Sequence, residues 1–437
     1  MRRLILALVC SLLLAACDAA DSPPKPASVA TSQVDNLPTA GTQLWCDYLS
    51  DPLWSKRDAY DAGHALLIPL EHAFAVDDVP LKKCFAGYVS RLQQAVGKQD
   101  VDPGRLNWLQ HLHLVGRYLV LAGDVDSAGW LLEEFKRFWL EEPAWLWAVD
   151  PFTGIRDRIE WKLGAPDESL ARSYYNVIFD EDYFALSLGL DLYGLYSRAG
   201  RLEECGKGCI EARDLFLRVF SERTEWRGGG WLIDVGRWDD HPDFAHAQYY
   251  RPPLSPEGDP LPPQPRRGGV IDSSHAHRYP SWLRSAQLAL REDEAFVERL
   301  RSGLSHQFAE VILAPDQGRI PILNNYMDGH NGWYRWNYAT HTGPLKGYGP
   351  YALSGTFALG WWSLLGDERI AEQYERLAQS FPLSEAELQL YAGSSTRERH
   401  PLIHNAWRNG MMADISMRAS ELARAVKQTK ITRESQQ

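Results

Sequence analysis

The chain has 437 residues and carries 46 Lys and Arg against 57 Asp and Glu, a formal charge of −11 at neutral pH. An acidic body with no basic stripe repels a phosphate backbone, so no nucleic-acid partner is expected. Hydrophobic residues make up 45% and Trp alone accounts for 17 positions, enough for a large core with aromatic side chains to spare for a surface.

At the N-terminus, Arg2 and Arg3 precede an apolar run over 4–14 that is too short to span a bilayer, and Leu14-Ala15-Ala16-Cys17 closes it. This arrangement resembles the lipobox of bacterial lipoproteins. The resemblance implies a signal peptide over 1–16 and a diacylated Cys17 as the new first residue. It also implies a lipid-anchored protein of the cell envelope that faces the periplasm, in either the inner or the outer membrane. Residues 17–42 are rich in Ala, Ser, Pro, Asp and Thr and read as a disordered tether. A single large domain over 43–415 follows, then a helix or tail over 416–437. Cys46, Cys84, Cys205 and Cys209 remain in an oxidising compartment. The simplest pairing joins Cys46 to Cys84 and Cys205 to Cys209.

Apolar positions recur at helical spacing over 81–96, 106–121, 128–140, 184–196, 210–220, 282–290, 296–313, 351–365 and 370–381. Gly123, Gly200 and Gly366 each sit where one helix ends in a left-handed residue and acidic residues open the next. Helix, tight turn, helix repeated along a chain means a solenoid or a closed ring of hairpins. The glycine intervals are too unequal for a tetratricopeptide array. The expected fold is therefore all-α, an (α/α)6 toroid of helical hairpins, with two long loop insertions at about 226–279 and 315–349, where loops of such length are usually functional.

Both insertions concentrate protic and aromatic side chains, with six of the thirteen histidines (His241, His246, His275, His277, His330 and His341). The first holds Trp231, Trp238, Asp240, His241, Asp272, His275, His277 and Arg278. The second holds Asn324, Asn325, Tyr326, Asp328, His330, Asn331, Trp333, Tyr334, Arg335, Trp336, Tyr338, His341 and Tyr348. Indole faces stack on sugar rings, amides and guanidinium groups fix hydroxyls and carboxylates, and Tyr or His moves a proton. The two segments are thus expected to line one hollow that handles a polysaccharide or oligosaccharide.

This organisation resembles that of toroid carbohydrate-active enzymes: polysaccharide lyases of the alginate and chondroitin kinds, glycoside hydrolases and uronyl-modifying enzymes. The lyase kind uses an Asn/His/Tyr/Arg constellation, and the resemblance implies β-elimination on a uronate. Asn325, His330, Tyr334, Arg335 and His275 supply those residue types, and no cofactor is implied. An inverting hydrolase would instead use two of Asp240, Asp272 and Asp328, although each of these also suits a turn. A third reading is a non-catalytic helical scaffold or sugar-binding subunit of an envelope assembly or export system. Metal binding by His275 and His277 with Asp272 or Asp240 has only two alternating histidines behind it. Trp361, Trp362, Trp145 and Trp147 read as packing between helices and fall outside the expected site.

Overall fold

The apolar periodicity becomes a succession of helices in the computed structural model, which is 68% helix and 6% strand and therefore all-α in class. It describes residues 41–99, 101, 104–146, 149–166, 169–241, 267–315, 318–334, 348–392 and 410–434. The lipobox with Cys17, the tether as far as residue 40 and the segments holding His246, Arg335, Trp336, Tyr338 and His341 lie outside the described residues, as does Trp147.

The first half of the chain forms α1 (Thr42–Ser50), α2 (Lys56–Ala65), α3 (Leu67–Ala75), α4 (Val79–Gly97), α5 (Arg105–Ala122), α6 (Gly129–Lys136) and α7 (Ile155–Gly164). A short hairpin, β1 (Ala144–Leu146) against β2 (Val149–Phe152), precedes α7. Next come α8 (Asp180–Arg198), α9 (Leu202–Cys205), α10 (Lys207–Arg223) and a second hairpin, β3 (Thr224–Arg227) against β4 (Gly230–Ile233). The remainder comprises α11 (Ser273–Ala276), α12 (Tyr279–Ala289), α13 (Glu294–Gln307), α14 (Glu368–Gln379), α15 (Glu385–Ala392) and α16 (Met412–Glu434).

Helix stops follow the glycines. Gly123, Gly200 and Gly366 adopt φ of 67°, 70° and 70°, the left-handed conformation that costs glycine nothing. The expected helix over 351–365 is instead two 3-10 turns, Ser354–Leu359 and Trp361–Leu365. Gly360 breaks them at φ 84°, and a Cβ there would stand 2.8 Å from both Ile415 and Ile68. α3 carries no clear 3.6 period because it is buried on every side from Leu67 to Ala73. The expected boundary at 415/416 falls inside α16, whose Met412, Ile415, Ala419 and Leu422 are core residues. The disulfides join Cys46 to Cys84 and Cys205 to Cys209, with Cα separations of 5.4 and 6.0 Å.

Packing runs from element to element. α5 lies against α2 and α8; α8 lies against α10 and α12; α12 lies against α13 and the Trp361–Leu365 turn; that turn lies against α16; and α16 lies against α14 and α3. Four of these helices meet at a buried ionic network. Arg117 of α5 binds Glu71 of α3 through Nη2 at 2.5 Å and Asp191 of α8 through Nη1 at 2.9 Å, all three side chains being at most 1% exposed. Arg284 of α12 reaches Glu71 at 3.4 Å, and His113 of α5 meets Ser285 of α12 at 3.1 Å. Burial works against the Glu71 charge, but Arg117 and Arg284 outweigh it and hold the carboxyl below its usual range. Burial pushes Asp191 up to about 6.

Removing Arg117 leaves two carboxylates in the interior without their cation. Arg117→Ala is therefore expected to cost about 3–5 kcal/mol of stability, read by denaturant unfolding; a loss within about 0.5 kcal/mol would show that the network is dispensable.

His111 offers a pH test. Its Nε2 accepts the Tyr88 hydroxyl at 2.7 Å, and burial lowers its pKa from 6.5 to about 4. The folded state therefore binds fewer protons than the unfolded chain below pH 6.5. This contribution to stability is complete above pH 6.5 and is lost as pH falls toward 4. Buried Asp191, Asp234 and Asp414 are raised and act in the opposite sense. Comparison with His111→Gln isolates the histidine: relative to the wild type, the variant should lose about 3 kcal/mol less between pH 6.5 and 4. Parallel stability profiles would refute the assignment.

Candidate functional site

The two insertions meet through backbone hydrogen bonds. Ser273 N–H donates to Asn325 O at 2.8 Å, Met327 N–H donates to Ile271 O at 3.1 Å, and Asp272 bridges Tyr326. This seam brings His275 beneath Tyr334, next to the first turn of α8.

Asp272 does two jobs. As the N-cap of α11 its Oδ1 accepts from the Ser274 and His275 amides at 3.0 and 3.1 Å, while its Oδ2 lies 2.7 Å from His275 Nδ1. The carboxylate thereby fixes the imidazole so that Nδ1 carries the proton and Nε2 holds the lone pair. Nε2 lies 3.9 Å from Asp180 Oδ2, and the His275 side chain keeps 23% exposure. Tyr334 is pinned by a two-way backbone bridge to Tyr348, and its hydroxyl lies 3.4 Å from His275 Nδ1. It is buried at 3% exposure, so it does not line an open hollow, contrary to the expectation for its segment.

Asp180 opens α8 in an acidic first turn, Asp180-Glu181-Asp182, where a helix N-terminus favours negative charge. It pairs with Arg278, whose Nη2 also reaches the Tyr60 hydroxyl at 3.3 Å and His64 Nε2 at 3.5 Å. Burial opposes the charge on Arg278, but Asp180 outweighs it and raises the guanidinium above its ordinary value. Below this layer His64, His277 and Trp361 stack with centroids 5.0 to 5.7 Å apart. Burial first, and Arg278 second, push both imidazoles well below their ordinary value, so they are neutral at physiological pH. Gln110 Nε2 lies 2.6 Å from His64 Nδ1. Asp180, Tyr60, His64 and Gln110 lie on helices outside the two insertions, where composition gives no signal; the acidic opening of α8 is the one sequence feature that marks them.

Other expected site residues serve the scaffold. Asn325 is fully buried, its Nδ2 donating to Gly332 O and Gly349 O and its Oδ1 accepting from the Leu353 amide. Asn331 Oδ1 accepts from the Asn325 and Tyr351 amides. Tyr326 is sealed in the core with its hydroxyl on Trp333 O, and Trp333 is 4% exposed. Trp231 is a core residue that donates to Leu300 O at 2.7 Å and meets Phe220 and Tyr279 edge-on. His277 is likewise buried rather than open to a substrate. Each departure has one cause: a long loop that must lie on a helical body buries its own backbone, and its amides and rings are used to satisfy and cover it.

Asp240 clamps a neighbouring turn by accepting from Ser173 N and Oγ at 3.0 and 2.6 Å, and His241 packs between Tyr174 and Trp238. Asn324, Asp328 and His330 line a second hollow with Val311 and Ala314; His330 Nδ1 lies 3.1 Å from Asp328 there. Trp361 and Trp362 are core residues, as their helical context implies, whereas Trp145 is 58% exposed. Among the described residues no group of three His, Cys, Asp or Glu side chains is placed to hold a metal ion. Comparison with family models, curated proteins and solved structures finds no match, so the chemistry must be argued from the residues themselves.

If Asp272 caps α11 through a carbonyl-type oxygen, Asp272→Asn should retain most of the stability that Asp272→Ala loses, about 1 to 2 kcal/mol. Thermal unfolding of the pair checks this, and equal losses would discount the cap.

Proposed function

We propose that the protein is an envelope-anchored carbohydrate-active enzyme and that its chemistry is a lyase-type β-elimination on a uronate. The observation that carries the reading is the His275 imidazole: Asp272 holds it at Nδ1, Nε2 stands 3.9 Å from Asp180, and the side chain remains partly exposed. An imidazole so oriented is a general base whose protonated form is stabilised from behind by a carboxylate.

In the proposed step Nε2 takes the proton at C5 of the uronate. The electrons of that C–H bond form the C4–C5 double bond, the C4–O bond breaks, and the imidazolium returns its proton to the departing oxygen. Water is not consumed. Arg335, next in sequence to Tyr334, is assigned the substrate carboxylate, whose neutralisation makes the C5 proton removable. Tyr334 acts as a positioning residue, since its buried hydroxyl lies on the Nδ1 side of the imidazole. Hydrolysis through a pair of aspartates has less support. Asp240 is committed to Ser173, Asp328 lies in the other hollow with His330, and Asp272 is spent on capping and on His275.

The (α/α)6 toroid belongs to the same reading. The succession of contacts from α2 through α5, α8, α12 and the Trp361–Leu365 turn to α16, and from α16 back to α3, supports a ring of inner elements. His275 and Asp180 stand near the N-terminal ends of α12 and α8, where loops of such a ring converge. The lipid anchor at Cys17 supplies attachment; among the described residues no helix is long and apolar enough to cross a membrane.

The purified protein is to be incubated with alginate, other uronate polymers and neutral glycans. Unsaturated ends are followed by ultraviolet absorbance and reducing ends chemically. Both should rise on a uronate polymer, and His275→Ala should lower the rate by at least about 100-fold with the fold retained. Reducing ends without absorbance would indicate hydrolysis, and turnover unchanged in His275→Ala would remove the imidazole from the mechanism.

A further inference from the structure

The β1–β2 hairpin carries an indole on its outer face. Along β1, Ala144 and Leu146 turn inward at 0% and 7% exposure, and Trp145 between them is 58% exposed, as alternation along a strand requires. Among the described residues, the exposed large apolar side chains are Val76, Val79, Ile210, Trp226, Met417 and Trp145, and Trp145 shows the greatest fraction to solvent. Trp226 differs from it: the Arg299 guanidinium covers its ring at 4.2 Å, and Gly303 approaches it closely enough that a Cβ would clash at 2.6 Å. The Trp145 indole has no ring or cation partner among the described residues.

The base of this hairpin is tied firmly to the end of the molecule that carries His275. Arg105, at the start of α5, donates to Glu142 Oε1 at 2.7 Å and to Pro143 O at 2.6 Å. Arg158 donates to the Trp145 carbonyl at 2.9 Å. Both guanidinium groups are also bound by Glu181 of α8, Arg158 at 2.6 Å and Arg105 at 3.4 Å. Arg158 is further fixed by Asp182, and Glu181 is the residue next to Asp180, which lies 3.9 Å from His275 Nε2. An indole exposed on a platform held by two buried or half-buried arginines is preorganised to receive a flat apolar face. The C–H face of a pyranose ring is such a surface, and the ring's hydroxyls stay in water.

We infer that Trp145 is the stacking platform of a distal sugar subsite, one that holds an oligouronate chain extending away from His275. The inference rests on the carbohydrate reading above but not on the elimination step. It explains why the hairpin is clamped to the acidic opening of α8 and why its central indole is left outside the core.

The test uses the full chain, wild type and Trp145→Ala, with alginate-derived oligouronates of two lengths. The first readout is binding without turnover, by electrophoretic retardation in alginate-containing gels. The wild type should be retarded, Trp145→Ala should lose most of the retardation, and Trp145→Phe should keep part of it. The second readout is kinetic: Trp145→Ala should raise KM about tenfold for the longer oligomer, leaving kcat and the shorter oligomer unaffected. Equal retardation of wild type and Trp145→Ala, or no retardation of the wild type, overturns the subsite. Retardation without turnover overturns the elimination mechanism and leaves the subsite standing, and turnover with unchanged KM does the reverse.

Discussion

Arg117 is the side chain on which the arrangement of the helical body depends. Its guanidinium joins α5 to α3 through Glu71 and to α8 through Asp191, and Arg284 brings α12 to the same carboxylate. Apolar faces pack in several registers, whereas a charge at 1% exposure tolerates no displacement that leaves it unpaired. The register of these helices is thereby set at the level of Arg117. The N-terminal ends of α5 and α8, about three turns away, are fixed as a consequence.

At those ends a second polar layer has a different character. Asp182 is sealed between Arg158 and Lys162 at 2.7 and 2.5 Å, and these two cations outweigh burial to keep its carboxyl below the usual range. One residue before Glu181, Asp180 shares Arg278 and stands across from His275, which keeps access to solvent. The acidic turn thus gives two carboxylates, Glu181 and Asp182, to the scaffold and one, Asp180, to the candidate site. The neutral His64 and His277 beneath it add no charge under Arg278, which lets the guanidinium remain committed to Asp180.

Much of the helical body was legible in the chain because period and punctuation agree: α4, α5, α8, α10 and α14 lie within a few residues of their apolar repeats, and the turn glycines fall where left-handed residues are needed. The site was legible in part. The density of protic side chains picked out the two insertions, and His275, Asp272, Arg278 and Tyr334 do come together. Density alone does not separate a side chain that serves the loop from one that serves a ligand. Asn325, Asn331, Tyr326 and Trp231 have the same composition signature and are spent on backbone amides and core packing.

By itself the sequence determined the helical class, the positions of the turns, the pairing partners open to four cysteines and the segments rich in proton-transfer groups. All of these depend on neighbours within a few residues or on composition. Tertiary structure alone decided that Asp180 pairs with Arg278, 98 positions along the chain, and faces His275, that Trp231 turns inward and that Trp145 turns outward. Burial and pairing at such separations are set by which helices pack together. That choice depends on side chains such as Arg117, whose partners lie 46 and 74 positions away in the chain and share no local pattern with it.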